Sequence, residues 1–307
     1  MNEGKIQLDQ RVFEIDAQAY TERICEFISR SMINLHRDGV IVPLSGGLDS
    51  STVLLLCLRA VGAEKLTALM MPEEQGNPEA LFFSRMLTSR YSIKTITRNI
   101  SPILLNLGTY DFVLSLIPTR RVKEWASRRY LRQHGSPFLD LMTGGGDGFQ
   151  RKGQARITSK HRIRAVVEFM IAEERNLLVA GCAHKSEDLL GLFVKFGVDD
   201  IADIMPLKNL YRSHILQIAA YLGVPSEIIQ RTPNPDIVPG VTDKYQDMLG
   251  LSSEIVDLLL YGIERGMDDQ NIATQLNLSL EKVQEIRNLV KNTSHMRNPS
   301  QSVTWDG

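Results

Sequence analysis

Apolar residues in this chain fall in short continuous runs separated by amphipathic stretches, and the first run sets the frame. Residues 40–44 are too short an apolar run for a helix; they lead into Ser45-Gly46-Gly47-Leu48-Asp49-Ser50-Ser51 and then a long apolar segment at 52–58. That order predicts strand, tight turn, helix. Upstream, Ile24, Phe27, Ile28 and Leu35 recur at helical spacing within 17–35, with Asp16 as the expected cap. Downstream, the pattern predicts strands at 65–71, 93–100 and 176–180, and helices at 79–91 and 160–172. Strands alternating with helices imply an α/β doubly wound parallel sheet, which builds its ligand site beyond the C-terminal ends of its strands.

The rest of the pattern is helical or irregular. Residues 252–262, 268–276 and 280–290 predict helices, the last two joined by Asn277-Leu278-Ser279 in the spacing of a helix-turn-helix. The second of that pair mixes Glu281 and Glu285 with Lys282 and Arg287, where a helix meant for a phosphate-lined groove should be more basic, so a structural role is preferred to DNA binding. We expect an α/β domain over 1–250, a helical extension over 251–300 whose tail closes on the site, and a disordered end at 301–307. Between 101 and 159 the pattern lapses and cations accumulate: Arg120, Arg121, Lys123, Arg128, Arg129, Arg132, Arg151, Lys152 and Arg156. Within it, 143–153 is rich in glycine and is expected to be a mobile loop rather than helix or strand. A lid over an anionic substrate and a solvated basic surface fit this segment equally well.

Candidate chemistry sits where strands open. Two adjacent glycines after the first strand allow positive φ and close approach of a ligand, so that backbone N–H groups at a helix N-terminus can converge on a phosphate. Ser45, Ser50 and Ser51 add hydroxyls. Asp49 is a carboxylate in a place that repels one, which makes sense if a divalent cation accompanies the phosphates. The Walker A spacing and its lysine are absent. After the fourth strand, Gly181-Cys182-Ala183-His184-Lys185-Ser186-Glu187 offers small and polar residues, and Glu187 could join Asp49 around Mg²⁺; an exposed first-turn carboxylate reads equally well. His184 and His295 read as ordinary surface or capping histidines, and Cys182 as a small buried filler rather than a sulfur-transferring nucleophile.

Composition narrows the class further. A formal net charge of -1 and 43% hydrophobic residues describe an ordinary soluble enzyme and advertise neither membrane nor nucleic acid. The first ten residues lack a signal-peptide core, no apolar run approaches membrane-spanning length, and three widely spaced cysteines suit neither a disulfide framework nor a zinc site; a cytoplasmic protein is expected.

The Ser-Gly-Gly-x-Asp-Ser loop resembles that of the ATP pyrophosphatase superfamily, and the chain as a whole resembles ammonia-dependent NAD synthetase, chiefly its archaeal-type members, over about residues 17–300. The pieces that carry the likeness are Ser45 to Ser50, Met71-Pro72-Glu73, Arg162 with Arg164, Gly181 with Lys185-Ser186-Glu187, Lys195-Phe196-Gly197, Asp203 to Leu207, Asn209 to Arg212, Gly223-Val224-Pro225 and His295-Met296-Arg297. The resemblance implies that ATP binds with Mg²⁺, that the carboxylate of deamido-NAD attacks the α-phosphate with loss of pyrophosphate, and that ammonia then displaces AMP. It implies ATP contacts at Leu44, Ser45, Gly46, Gly47, Asp49, Ser50, Met70, Cys182 and Arg212, with Asp49 and Arg212 catalytic and Asp49 and Glu187 on the metal. Arg162, Arg164, Lys195, Asp203, His295 and Arg297 would face the substrate, the last two from a closing tail. Homodimers are usual in the family. No segment before the loop is long enough for a glutaminase, so ammonia would be free or come from a separate protein. The pattern also departs from the family: Ile157-Thr158 replace its Gly-Asn, Cys182 its Thr, Ala183 its Asn or Asp, Val198 an Asp, Arg212 a Lys and Met296 a Lys, while its acidic pair before Leu-Gly is blurred into residues 243–248. Most of these changes fall on the substrate side while the pyrophosphate loop is intact, which keeps a second expectation open: a diverged amidoligase or sulfurtransferase adenylating another acid.

Overall fold

A computed structural model describes residues 7–111, 122, 125, 129, 137–142, 144–234, 241–298, 300 and 303. Helix α1 (Ala17–Asn34) leads into β1 (Gly39–Pro43), α2 (Leu48–Val61), β2 (Leu66–Met70), α3 (Pro78–Arg90), β3 (Lys94–Thr97) and α4 (Ser101–Asn106). After α5 (Pro137–Met142) come the long α6 (Gly148–Glu174), β4 (Leu177–Val179), α7 (Lys185–Leu190) and α8 (Arg212–Leu222). The chain ends in α9 (Ser226–Ile229), α10 (Lys244–Leu249), α11 (Ser253–Glu264), α12 (Asp269–Leu276), α13 (Leu280–Asn292) and α14 (Ser294–Arg297).

The sheet is parallel throughout, in the order β3-β2-β1-β4. β1 is therefore central, flanked by the next strand in sequence on one side and by the last on the other. This is the point where strand order reverses, and a crevice opens there because consecutive connections leave in opposite directions. A parallel bridge between Ala180 and Ile204 extends the β4 side. Period-two alternation sorts the side chains of β1: Val40 and Val42 enter a core with α1, α2 and α8, while Ile41 enters a second core with Leu69, Val179 and the α6 residues Ala165 and Ile171. Fully buried aliphatics such as Leu54 and Leu56 each contribute about 1.5–3 kcal/mol relative to exposure.

Caps fall where side-chain chemistry puts them. Asp16 accepts from the Ala19 N–H, and Asp243, Ser252, Asp268 and Ser279 cap α10 to α13 in the same way. Only half of the expected α1 stripe is inside: Ile24 and Ile28 are buried, whereas Phe27 and Leu35 are exposed. The expectation of a loop over 143–153 is overturned for 148–153, which forms the first turns of α6. Asp147 and Gln150 make a reciprocal capping box, each side chain accepting from the other's N–H at 2.8 Å. The box offsets the cost of roughly 1 kcal/mol that each helical glycine carries. Of the basic segment, Arg120, Arg121, Lys123, Arg128 and Arg132 lie outside the described residues; Arg151 and Arg156 donate to the carbonyls of Gly146 and Gly108.

The C-terminal helices form a third core with the N-terminal residues Leu8 and Phe13 and with Tyr211 and Tyr245. Arg287, on the second helix of the helix-turn-helix pair, is taken up by Asp269 at 2.5 Å and by the Met267 carbonyl. Among the described residues no helix is long and apolar enough to cross a membrane. Most of the expected tail at 301–307 lies outside the described residues.

Candidate active site

A cleft of about 1020 Å³ lies beyond the C-terminal ends of β1, β2 and β4. Its floor is the turn after β1. Gly46 has φ +70°, and a Cβ there would come within 2.5 Å of the Ala80 carbonyl oxygen, so this position requires glycine for both torsion and space. Gly47 has φ −87° and meets only the Ser45 hydroxyl; its lack of a side chain leaves room for a ligand rather than relieving strain. The turn is braced from within: Ser50 Oγ accepts from the Ser45 N–H at 3.2 Å and lies 3.0 Å from Ser45 Oγ. From behind, Arg231 donates to the Gly46 carbonyl at 2.8 Å while stacking over Phe83. α2 begins at Leu48 without a side-chain cap. Its first-turn N–H groups, which have no intrahelical acceptors, are therefore available to an anion at the positive end of the helix.

Beside this anion seat stands a cluster of charge. Asp49, on the first turn of α2, and Glu187, on the first turn of α7, approach from opposite sides of the strand-order reversal with His184 between them. Their ligand atoms all lie within 4.8 Å of one another. Arg212 Nη1 is 4.0 Å from Asp49 Oδ1, and the Lys244 ammonium contacts Glu187 Oε1 directly. Burial alone would push the Asp49 carboxyl up, but His184, Arg212 and Lys244 around it hold it below the usual range. Burial drives His184 down to about 3, against the pull of Asp49, so the imidazole is neutral near pH 7 and the persistent cations facing Asp49 are Arg212 and Lys244. Burial also lowers Lys244 to about 8, with Asp49 opposing. Asp49 Oδ1 and both His184 ring nitrogens are buried without hydrogen-bond partners. Two carboxylate oxygens facing one point, Asp49 Oδ1 without a hydrogen-bond partner, are what a hard divalent cation satisfies, so Asp49 and Glu187 fit the Mg²⁺ that the loop chemistry implies.

The helical extension holds this cluster in place. Asp257, buried on α11, accepts from Ser186 Oγ at 2.6 Å through one oxygen and from the Ser213 N–H and hydroxyl through the other. Ser186 precedes Glu187 and Ser213 follows Arg212, so a single carboxylate sets both helix starts. Glu264, on the same helix, adds Lys185 at 2.8 Å and Tyr211 at 2.7 Å.

Most of the expected residues on the phosphate side converge here: Leu44, Ser45, Gly47, Asp49, Ser50 and Met70 line the cleft, as do Cys182, Glu187 and Arg212, with Gly46 just beneath. Burial and the nearby Glu168 and Asp49 raise the Cys182 thiol well above its ordinary value, which makes it a poor nucleophile. The substrate-side set divides. Arg164 lines the cleft, whereas Arg162 donates to the Lys195 carbonyl at 3.3 Å and stays outside it. Lys195 donates to the carbonyls of His295 and Asn298. Asp203 accepts the Val179 N–H at 2.8 Å and acts as a strand tie. His295 is exposed with Nδ1 2.9 Å from the Asn292 carbonyl, and Arg297 donates to the carbonyls of Leu189 and Val290, so the tail packs on α7 and α13 rather than over the cleft.

Sequence reasoning missed His184, Lys244 and Asp257. His184, expected at the surface or as a cap, does begin α7 but is wholly buried, because the Lys185 N–H binds the Leu210 carbonyl and folds this corner inward. The signal for Lys244 was its place in the blurred acidic stretch; Asp257, inside an apolar helix, was a polar residue with no evident reason to be there. A further buried carboxyl, Glu168 of α6, has no partner on either oxygen, and burial with the charges of Asp199 and Asp203 raises it well above the ordinary value.

A parallel sheet whose reversal point carries a glycine turn and a carboxylate pair beside a deep cleft is the architecture of an α/β nucleotide-binding enzyme. A family model described as NAD synthase matches residues 20–112 and 146–300. The chain belongs to that family. It is 33% identical over 270 residues to an NH(3)-dependent NAD(+) synthetase of Coprothermobacter proteolyticus, covering 83% of this chain and 88% of the relative. It is 32% identical to the protein of the same name from Methanocaldococcus jannaschii, covering 90% and 92%. Among solved structures it resembles the NH3-dependent NAD synthetase of Campylobacter jejuni, with a TM-score of 0.66 at 21% identity over 95% of this chain and all of that one. The NMN synthetase of Francisella tularensis shares the fold with a TM-score of 0.69 at 20% identity, over 95% of this chain and all of that one. The family match breaks between 113 and 145, where most of the basic segment lies.

Proposed function

We propose that the protein converts deamido-NAD, ATP and ammonia to NAD, AMP and pyrophosphate through an acyl-adenylate. The observation that carries this reading is the meeting of the phosphate turn with Asp49, Glu187 and Arg212 at the strand-order reversal. The turn amides of α2 and the Ser45 hydroxyl receive the departing pyrophosphate, and Arg212 neutralises charge that develops as the bond between α- and β-phosphates breaks. The substrate carboxylate forms a bond to the α-phosphorus as pyrophosphate leaves with the bonding pair. Ammonia then attacks the acyl carbon, loses a proton, and AMP departs. Little acid–base work falls to side chains in the first step; alignment in the cleft does most of it. Asp49 and Glu187 would hold Mg²⁺, which supplies Lewis-acid neutralisation of phosphate charge when bound. The Cys182 thiol, kept protonated, supports amide formation over sulfur transfer.

We further propose a cytoplasmic homodimer supplied with free ammonia or by a separate donor. The exposed apolar residues Val166 and Met170 on α6 support pairing. The deciding experiment incubates the protein with ATP and deamido-NAD, with and without ammonium, and follows AMP and NAD by chromatography. NAD and AMP in equal amounts only with ammonium is the expected result. ADP in place of AMP overturns the pathway; AMP formed only with a different acid overturns the substrate while leaving adenylation in place.

A further inference from the structure

An anion seat made of backbone works only if each peptide unit turns its N–H, and not its carbonyl, toward the anion. In the turn after β1 the Ser45 N–H is held by Ser50 Oγ at 3.2 Å, and the Gly47 carbonyl by the Ser51 N–H at 3.1 Å as α2 begins. The peptide unit between Gly46 and Gly47 has no comparable tie inside the turn; its N–H meets only Ser45 Oγ, at a long 3.4 Å. It is also a unit that sterics leave free to turn over. Gly46 sits close against α3, but a half-rotation of the plane beyond it carries φ of Gly47 from −87° to about +90° with ψ at 171°, a region open essentially to glycine alone. Glycine at 47 leaves room for a ligand and, by the same token, removes the steric bar to a flip that aims a carbonyl oxygen at the phosphates.

We propose that Arg231 is the positioning residue that prevents this flip and so aims the Gly47 N–H into the cleft. The inference rests on the proposed function's assignment of the turn to pyrophosphate and deepens it. A peptide unit is planar and trans, so its C=O and N–H point in opposite directions and holding one fixes the other. Arg231 Nη1 donates to the Gly46 carbonyl at 2.8 Å, and that carbonyl shares its peptide plane with the Gly47 N–H. Ser45 and Gly47 line the cleft while Gly46 does not, which is the side the N–H takes when the carbonyl is drawn the other way. The guanidinium is itself set in place: its Cζ lies 4.5 Å from the centroid of the Phe83 ring, and Nη2 stands 3.5 Å from Glu79 Oε2. A charged donor on the oxygen also polarises the unit and makes the N–H at its other end a stronger donor. Arg231 borders the cleft as well, so the rival role is a charge placed directly on a phosphate, and the two roles ask for different side chains. Positioning needs a hydrogen-bond donor at the carbonyl; direct contact needs the charge.

The test uses the full chain with magnesium pyrophosphate as the probe, titrated calorimetrically, and ¹⁵N-glycine labelling to follow the Gly47 amide by NMR, its resonance assigned by loss in Gly47→Ala. In the wild type that resonance should move strongly as pyrophosphate saturates the turn. Arg231→Met should keep the melting temperature, weaken pyrophosphate by roughly tenfold or more, and abolish the movement. Arg231→Gln, which retains a donor without the charge, should restore the movement and bring affinity to within about threefold of the wild type. Arg231→Gln as weak as Arg231→Met, with Arg231→Lys restored, means a charge on the phosphate and overturns the positioning role. Wild-type affinity in Arg231→Met overturns it too, while the phosphate seat stands. Should Arg231→Met fail to fold, the wild type decides by itself: a Gly47 resonance unmoved at saturation means the amide does not face the anion. A wild-type chain that binds neither pyrophosphate nor ATP overturns the phosphate seat of the proposed function, and this inference with it.

Discussion

The two ends of the cleft obey different rules. At the phosphate end the expected groups line the cleft or lie just beneath it, except Ser51, whose hydroxyl is buried in α2 away from the cleft, and the turn is cross-braced by its own hydroxyls and by Arg231. At the substrate end the expected charged residues are mostly spent: Arg162 and Lys195 hold backbone carbonyls, Asp203 ties a strand, and Arg297 fastens the tail. A phosphate seat is made mainly of backbone geometry, which a short contiguous motif specifies. A seat for an organic acid is made of side chains drawn from several distant segments, and each can be diverted to a structural partner without disturbing the fold. The Ser45–Ser50 turn therefore carries the family's pattern intact, whereas Ala183 and Val198 depart from it.

The largest effect expected is at Asp49. Asp49→Asn should keep the melting temperature near that of the wild type and lower turnover by roughly 10²–10³-fold, the scale for losing one preorganised charge contact. AMP release measured against metal concentration checks it, and undiminished turnover would remove the contrast between the two ends. Next, Gly46→Ala should cost on the order of 2–4 kcal/mol in urea unfolding, through positive φ and the contact with the Ala80 carbonyl. Gly47→Ala should cost much less stability yet still impair ATP binding, which isothermal titration would separate.

Glu168 sharpens the opposite side. Its folded-state pKa is raised, so its contribution to stability is fully present below the unfolded value near 4.5 and is lost as pH rises toward the folded value. Glu168→Gln should therefore gain stability relative to the wild type as pH goes from 5 to 8, by roughly 1–3 kcal/mol, seen as a widening gap in melting temperature. A gap that stays constant with pH would mean the carboxyl finds a partner in solution. The smallest effect is at Lys195. Lys195→Ala should free the tail to proteolysis beyond Thr293 and change KM by less than about threefold, on the order of 0.7 kcal/mol. A tenfold rise in KM with the tail still protected would return Lys195 to the substrate.

Legibility followed the range of the interactions. The strands, the phosphate turn, the cap at Asp16 and the approach of Asp49 to Glu187 all lie in contiguous patterns or in a family motif, and each is present in the structure. The start of α6 was misjudged because glycine counts against a helix locally, while a capping box spanning four residues and a buried Gly153 outweigh it. His184 was misjudged because a lone histidine carries no periodic signal.

By itself the chain determined a parallel α/β sheet with an anion seat after its first strand, because side-chain period and glycine torsions are local properties that survive any packing. Only the tertiary structure decided which charges meet. The burial of His184 beside Asp49, the contact of Lys244 with Glu187, and the clamp of Asp257 on two helix starts join residues up to 135 positions apart. Their energetics depend on exclusion from water, which no stretch of sequence possesses until the rest has folded around it.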